Sequence, residues 1–194
     1  AVLPGANGSM TPADAETALA GLGADDVLLL QQEIPQAATR RALELAGAQG
    51  VTSVFNTAPF LTDTAQLAPL ASIVVANETE FALLSGRPES ELDAAMADWA
   101  AQHDQILIVT LGGAGVKAMA EGKLLAIPAL PVKPVDTVGA GDTFCGYLAA
   151  GLDAGLDLEA ALRRAAAAGS LACLKPGAQP AIPTAAEVDA ALAG

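Results

Sequence analysis

Positive charge is scarce in this chain. Only nine of its 194 residues are Lys or Arg, against 22 Asp or Glu, which leaves a net charge of −13. Such a surface repels a phosphate backbone and offers no basic stripe, which argues against nucleic acid and anionic membranes as partners. The acids are scattered over predicted helix faces and form no block, so they read as a solubility feature. Cysteine is scarcer still. Cys145 and Cys173 lie far apart, without the paired spacing that marks zinc or a disulfide framework, and they read as small buried apolar residues in a reducing compartment. The single histidine, His103, falls at a predicted helix end, where a cation is favoured, with no metal pattern around it. No apolar run reaches the ~20 residues needed to span a bilayer. The opening AVLPGANGSM lacks the basic segment and continuous apolar run of a secretion signal, so a cytoplasmic location is expected. Position 1 is not Met, and the expectation is a chain that has lost its true beginning.

What is present is an alternation of short apolar bursts with helical patterns. DDVLLLQQE, VTSVFN, SIVVAN and QILIVT have the length and composition of buried parallel strands, and PQAATRRALELAGAQG and ETEFALLSG have helical spacing between them. Repeated β-α units predict an α/β sheet covered on both faces. A further helix is predicted over 89–102 behind Pro88. VKAMAEGKLLAIPAL alternates and turns at Glu121-Gly122, the pattern of a β-hairpin. Three Ala-rich helices make up the last third. No long linker or internal repeat interrupts the chain, which reads as one unit over 1–194.

Ligands of open parallel sheets bind at the carboxyl ends of the strands. Five such ends carry polar or glycine residues: QQE at 31–33, Asn56 with Pro59, NETE at 77–80, TLGG at 110–113 and DTVGAGD at 136–142. The last is the richest chemically. Glycines ahead of a helix let the backbone approach a ligand, and the first free N–H groups of that helix point at it with the positive end of the dipole. A carboxylate at the same place, Asp142, can accept a proton from a hydroxyl lying against that anion hole, as a general base would for attack on a phosphoryl group. An ordinary Asp N-cap is the simpler alternative.

VDTVGAGDTF resembles the C-terminal signature of the ribokinase-like carbohydrate kinases, and NETE, VTLGGAGV and KPGAQPAIP resemble other parts of that family in the same order. The resemblance runs from PGAN near the start almost to the end of the chain. It implies a ribokinase-like three-layer α/β/α fold with a mostly parallel central sheet. The implied activity is ATP-dependent phosphorylation of the primary hydroxyl of a sugar, ribose first, with another sugar or a nucleoside as the near alternative. A non-catalytic nucleotide-binding paralogue is the alternative of a different class. In the family the residue matching Asp142 is the base, and Gly139, Ala140 and Gly141 match the anion hole. Asn77 and Glu80 fall on the N-x-x-E motif that supports the phosphates and hydrated Mg²⁺. Thr110, Leu111, Gly112, Gly113, Ala114 and Gly115 match the loop that holds the nucleotide, and Glu33 matches a sugar-contacting glutamate. Asp136, Val138, Ala172, Lys175, Gly177 and Ala181 match a K⁺ site built largely of carbonyl oxygens, a donor set suited to a large, hard, singly charged ion. Ala181 stands where a serine is frequent, and Ala166 where a polar residue commonly lies near the nucleotide. The family's N-terminal sugar-binding segment and its β-sheet lid have no counterpart here. The resemblance therefore implies a fragment of a longer kinase, inactive alone, whose parent is a candidate homodimer. Trp99, Met96 and Phe81 read as packing residues, and Arg40 and Arg41 as a solvated helix face.

Overall fold

The computed structural model describes residues 3–194. Its six strands lie side by side in the order in which the chain makes them: β1 (Val27–Leu30), β2 (Thr52–Asn56), β3 (Ile73–Asn77), β4 (Ile106–Thr110), β5 (Val116–Ala120) and β6 (Lys123–Ile127). The helices among the described residues are α1 (Pro12–Leu19), α2 (Gln36–Gln49), α3 (Thr64–Leu67), α4 (Glu78–Ser85), α5 (Leu92–His103), α6 (Ala140–Asp153), α7 (Leu158–Ala172) and α8 (Ala185–Ala193). The α/β class expected from the sequence is the class found. Contacts group the residues into two units, the chain through Ile108 with Met119–Lys123, and Val109–Ala118 with Leu124–Gly194.

In the first unit β1, β2 and β3 pair in parallel, with Val27 opposite Thr52 and Val54 opposite Ile73. Parallel pairing requires a crossover, and α2 supplies the one between β1 and β2. That helix ends at Gly50, whose φ of 72° is a left-handed value that glycine adopts without strain. The interior strands β2 and β3 are almost wholly buried, as the continuous apolar runs require. Leu28 and Leu30 of β1 pack with Ala15 and Leu19 of α1 and with Ala42 and Ala46 of α2. Arg41 reaches from α2 to Glu16 of α1, with Nε 2.7 Å from Oε1, and is half-buried, so the face expected to be solvated carries a tether between two helices. The helix predicted from residue 89 begins as a 3₁₀ turn over Glu89–Glu91 and becomes α-helical at Leu92.

The hairpin turn falls where predicted. Glu121 and Gly122 both have positive φ, 50° and 71°, the backbone of a two-residue turn that matches strand twist. In the second unit α6 lies close against α7: a Cβ on Gly151 would come within 3.2 Å of the Ala161 Cβ. Alanine density thus serves close helix packing. Ala167 and Ala168 of α7 pack with Val188 of α8, flanked by Tyr147, whose hydroxyl donates to the Pro183 carbonyl at 2.7 Å.

Candidate functional site

Four helices carry an acid at their third position, and three of them use it on themselves. In α1, α4 and α8 the side chain before the helix accepts from the third backbone N–H, and the third side chain accepts from the capping residue's N–H. The pairs are Thr11 with Asp14, Asn77 with Glu80, and Thr184 with Glu187. These reciprocal bonds hold the Glu187 carboxyl down at about 2, through the Thr184 backbone N–H first, then the Thr184 hydroxyl and Lys175.

α6 differs. Its cap is Gly139, at φ 75°, with no side chain to offer, and Asp142 at the third position is exposed and accepts no hydrogen bond among the described residues. Asp142 is therefore not the N-cap that the simpler reading allowed. The N–H of Ala140 goes to the Thr137 carbonyl and that of Thr143 to the Gly139 carbonyl. Those of Gly141 and Asp142 have no acceptor among the described residues, so the helix start is open in the way an anion hole requires. A side chain at 139 is disfavoured twice, by the left-handed backbone and because its Cβ would crowd Ala178 at 3.0 Å.

The loop after β4 is a 3₁₀ turn over Gly112–Ala114, closed by the Leu111 N–H on the Gly115 carbonyl at 2.8 Å. Gly115 has φ 103°, and a Cβ on it would lie 2.1 Å from the Ile127 carbonyl oxygen. This is the tightest glycine requirement in the chain. The N–H of Gly113 has no acceptor among the described residues. Thr110, Gly112, Gly113 and Gly115 line a cavity of about 320 Å³ together with Ala140 and Gly141 at the start of α6. All of its lining residues belong to the second unit. Two sequence-predicted segments, the glycine loop and the anion hole, thus meet at one cavity. Leu111 and Ala114 lie off its wall and close the turn.

Most of the remaining wall comes from residues to which the sequence assigned no place at the site. The connector 129–134 forms one side, and Phe144, Gly169, Ser170 and Cys173 form the other, with Ala166 among them as the resemblance had placed it. Cys145 is buried as expected, whereas Cys173 is half-buried on this wall, its thiol pushed up by burial and by the charge of Asp136.

The residues that the resemblance assigns to a K⁺ site are gathered in part by Asp136. Its Oδ2 accepts from the Gly177 N–H at 2.9 Å and its Oδ1 from the Val138 N–H at 3.0 Å. Those bonds, Gly177 first, hold its carboxyl below the usual range. The Cys173 carbonyl accepts from the N–H groups of Val135 and Asp136, so the 135–138 and 173–177 segments are tied twice. The carbonyls of Asp136, Val138, Lys175 and Gly177 accept nothing among the described residues. That donor set fits a large monovalent cation. Lys175 sends its ammonium away to Glu187, at 3.2 Å, and Ala181 is fully buried and has only its backbone to offer.

In the first unit, Glu80 Oε2 accepts from the Asn77 N–H at 3.1 Å and from the Thr57 hydroxyl at 2.9 Å. Its Oε1 has no partner among the described residues, which leaves one carboxylate oxygen for a hydrated Mg²⁺. Glu33 is exposed, its N–H held by the Gln31 side chain. Its neighbour Gln32, which sequence reasoning passed over, is 2% exposed. The Gln32 amide donates to the carbonyls of Thr57 and Pro59 and to Thr64 Oγ1, pinning the β1 end to the loop after β2. One signal for it exists in the sequence, since it continues the Leu28, Leu30 alternation that faces α1 and α2. The packing residues behave as expected: Trp99 stacks with His103 at 4.2 Å and meets Phe81 edge-on at 6.2 Å, and Met96 is fully buried.

The family model for pfkB family carbohydrate kinases matches residues 2–185. The chain is 38% identical over 188 residues to a ribokinase of Bacillus subtilis, covering 97% of this chain and 62% of that protein. It therefore spans about three fifths of that relative's length. A crystal structure of ribokinase from Thermotoga maritima superposes with a TM-score of 0.87 at 30% identity, over 100% of this chain and 65% of the other. An Arabidopsis thaliana ribokinase solved with ribose and ATP gives 0.84 at 29% identity, covering 99% and 64%. No described helix is long and apolar enough to cross a membrane.

Proposed function

The chain belongs to the pfkB family of carbohydrate kinases, and on that premise we propose that it is the nucleotide-binding, phosphoryl-transferring part of an ATP-dependent sugar kinase. D-ribose, phosphorylated at its primary hydroxyl to ribose 5-phosphate, is the acceptor we favour, because the Bacillus and Thermotoga proteins are ribokinases and the Arabidopsis one was solved with ribose and ATP. The observation that carries the reading is the cavity where the glycine loop meets the open start of α6.

The chemistry follows from what these residues have free. The N–H groups of Gly113 and Gly141 offer fixed donors to phosphate oxygens, and donors already in place stabilise charge as it develops at no reorganisation cost. Asp142, one residue beyond Gly141 and without a hydrogen bond among the described residues, accepts the proton of the sugar hydroxyl as its oxygen attacks the γ-phosphorus and the bond from that phosphorus to the bridging oxygen breaks, releasing ADP. Because Asp142 carries no structural hydrogen bond, its carboxylate is available for that transfer, which disfavours a non-catalytic paralogue. Glu33 takes a sugar-contacting role. Asn77 and Glu80 would hold hydrated Mg²⁺, and the carbonyls near Asp136 and Gly177 would hold K⁺. When bound, such ions would supply positive charge.

In the complete kinase, Asp142→Asn is expected to lower kcat by at least ~10², the ordinary contribution of a general base, with the Kd for Mg-ATP changed less than about threefold. Steady-state kinetics with ATP titration measures both. Near-normal turnover in the variant would remove Asp142 from the role of base.

A further inference from the structure

The cavity has two chemically different ends. One carries the open N–H groups of Gly113 and Gly141, with Thr110 and Thr137 on the same segments. The other is formed by the connector 129–134 and by one face of α7, and its polar groups are largely engaged with one another. Ser170 Oγ donates to the Ala166 carbonyl at 2.8 Å and accepts from the Leu130 N–H at 3.2 Å. Cys173 Sγ donates to the Gly169 carbonyl at 3.3 Å, and the Cys173 carbonyl already serves Val135 and Asp136. Pro131 and Pro134 have no N–H to offer. Among the described residues no carboxylate, side-chain amide, ammonium or guanidinium lines the cavity.

We infer that this site holds the base of its nucleotide by shape and apolar contact alone and does not distinguish one purine from another, so that GTP and ITP bind as ATP does. The inference rests on the nucleotide-binding reading above. With the phosphates at the end that has open N–H groups, the base lies against Leu130, Val132, Phe144 and Ala166. Strong rejection of a wrong ligand comes from buried polar groups left unpaired by it, and an apolar pocket has few to leave unpaired. Adenine and guanine differ only in the donors and acceptors on their edges. The side chains at this end present nothing to read those edges. Ala129 and Val132 are only half-buried, so a base that does not bond their main-chain groups incurs little of the cost of a fully buried unpaired group. Ala166 is central to this, since an alanine methyl contributes contact but no hydrogen bond.

Titration calorimetry of the 194-residue chain with the Mg²⁺ complexes of ATP, GTP and ITP tests the inference. The expected result is Kd values within about tenfold of one another, in contrast to the 10⁴-fold or greater rejection by sites built around hydrogen bonds. ATP bound more than about tenfold tighter than both others would overturn base tolerance and leave the nucleotide-binding reading standing. Binding of none of the three would overturn that reading and the inference with it. Ser170→Ala should leave the ATP to GTP ratio unchanged, because the hydroxyl is engaged within the wall. A ratio altered more than about threefold would assign Ser170 the base-reading role denied to it here.

Discussion

The starts of α4 and α6 are built on the same plan up to the capping residue and differ in use because of that one residue. Each carries a carboxylate at its third helical position, Glu80 in one and Asp142 in the other. At α4 the cap is Asn77, and the reciprocal pair of bonds at 2.8 and 3.1 Å closes the helix on itself. At α6 the cap is a glycine in the left-handed conformation: it has no side chain to accept from the helix N–H groups, which stay open, and the Asp142 carboxylate makes no bond back to its N–H. A side chain at the cap stabilises a helix, while a glycine there leaves the helix end to a ligand.

The comparison breaks most violently at the glycine loop that shares the cavity with α6. Gly115→Ala should destabilise the chain by about 3 kcal/mol or more, since it adds both left-handed strain and a backbone clash, with the Cβ meeting a carbonyl oxygen at 2.1 Å. Denaturant unfolding measures it. A loss below about 0.5 kcal/mol, the range of surface substitutions, would mean that the loop does not need this backbone.

A smaller effect sharpens the contrast between the two helix starts. Asn77→Ala should cost about 1 kcal/mol, the usual worth of a side-chain cap. Asp142→Asn should change stability by less than about 0.5 kcal/mol, a weak dipole term at an exposed site, whereas the expected loss of kcat in the complete kinase is at least ~10². Equal losses from both substitutions in the same unfolding experiment would mean that Asp142 has a structural partner after all.

Much of this arrangement was legible beforehand, and the misses have physical causes. The strand bursts and the Glu121-Gly122 turn were readable because apolar runs and turn chemistry are local signals. Asp142 was placed at the helix start, yet whether it capped the helix depended on the left-handed backbone of Gly139 and its fit against Ala178, a contact 39 residues away in sequence. The first helix went unnoticed although Thr11, Pro12 and Asp14 spell a capping box with proline at the first position, because its apolar stripe is only Ala15 and Leu19. Gln32 was overlooked beside Glu33 because its amide is satisfied by Thr57, Pro59 and Thr64, partners no local pattern reveals. The apolar wall of the cavity was legible only at Ala166. Connector 129–134 and the α7 residues around Ala166 converge through tertiary packing, and the Ser170 bridge to Leu130 spans 40 positions.

The central claim is that the open start of α6 and the loop after β4 receive the phosphates, while the boxed starts of α1 and α8 do not. Backbone amide NMR of the 194-residue chain, titrated with Mg-ADP and Mg-ATP, addresses those N–H groups individually. The account predicts that the largest shift changes fall on Gly113, Gly141 and Asp142, and that the amides of Asp14 and Glu187, inside the capping boxes of α1 and α8, stay within the general background. Saturable binding that leaves Gly113, Gly141 and Asp142 unmoved would contradict it.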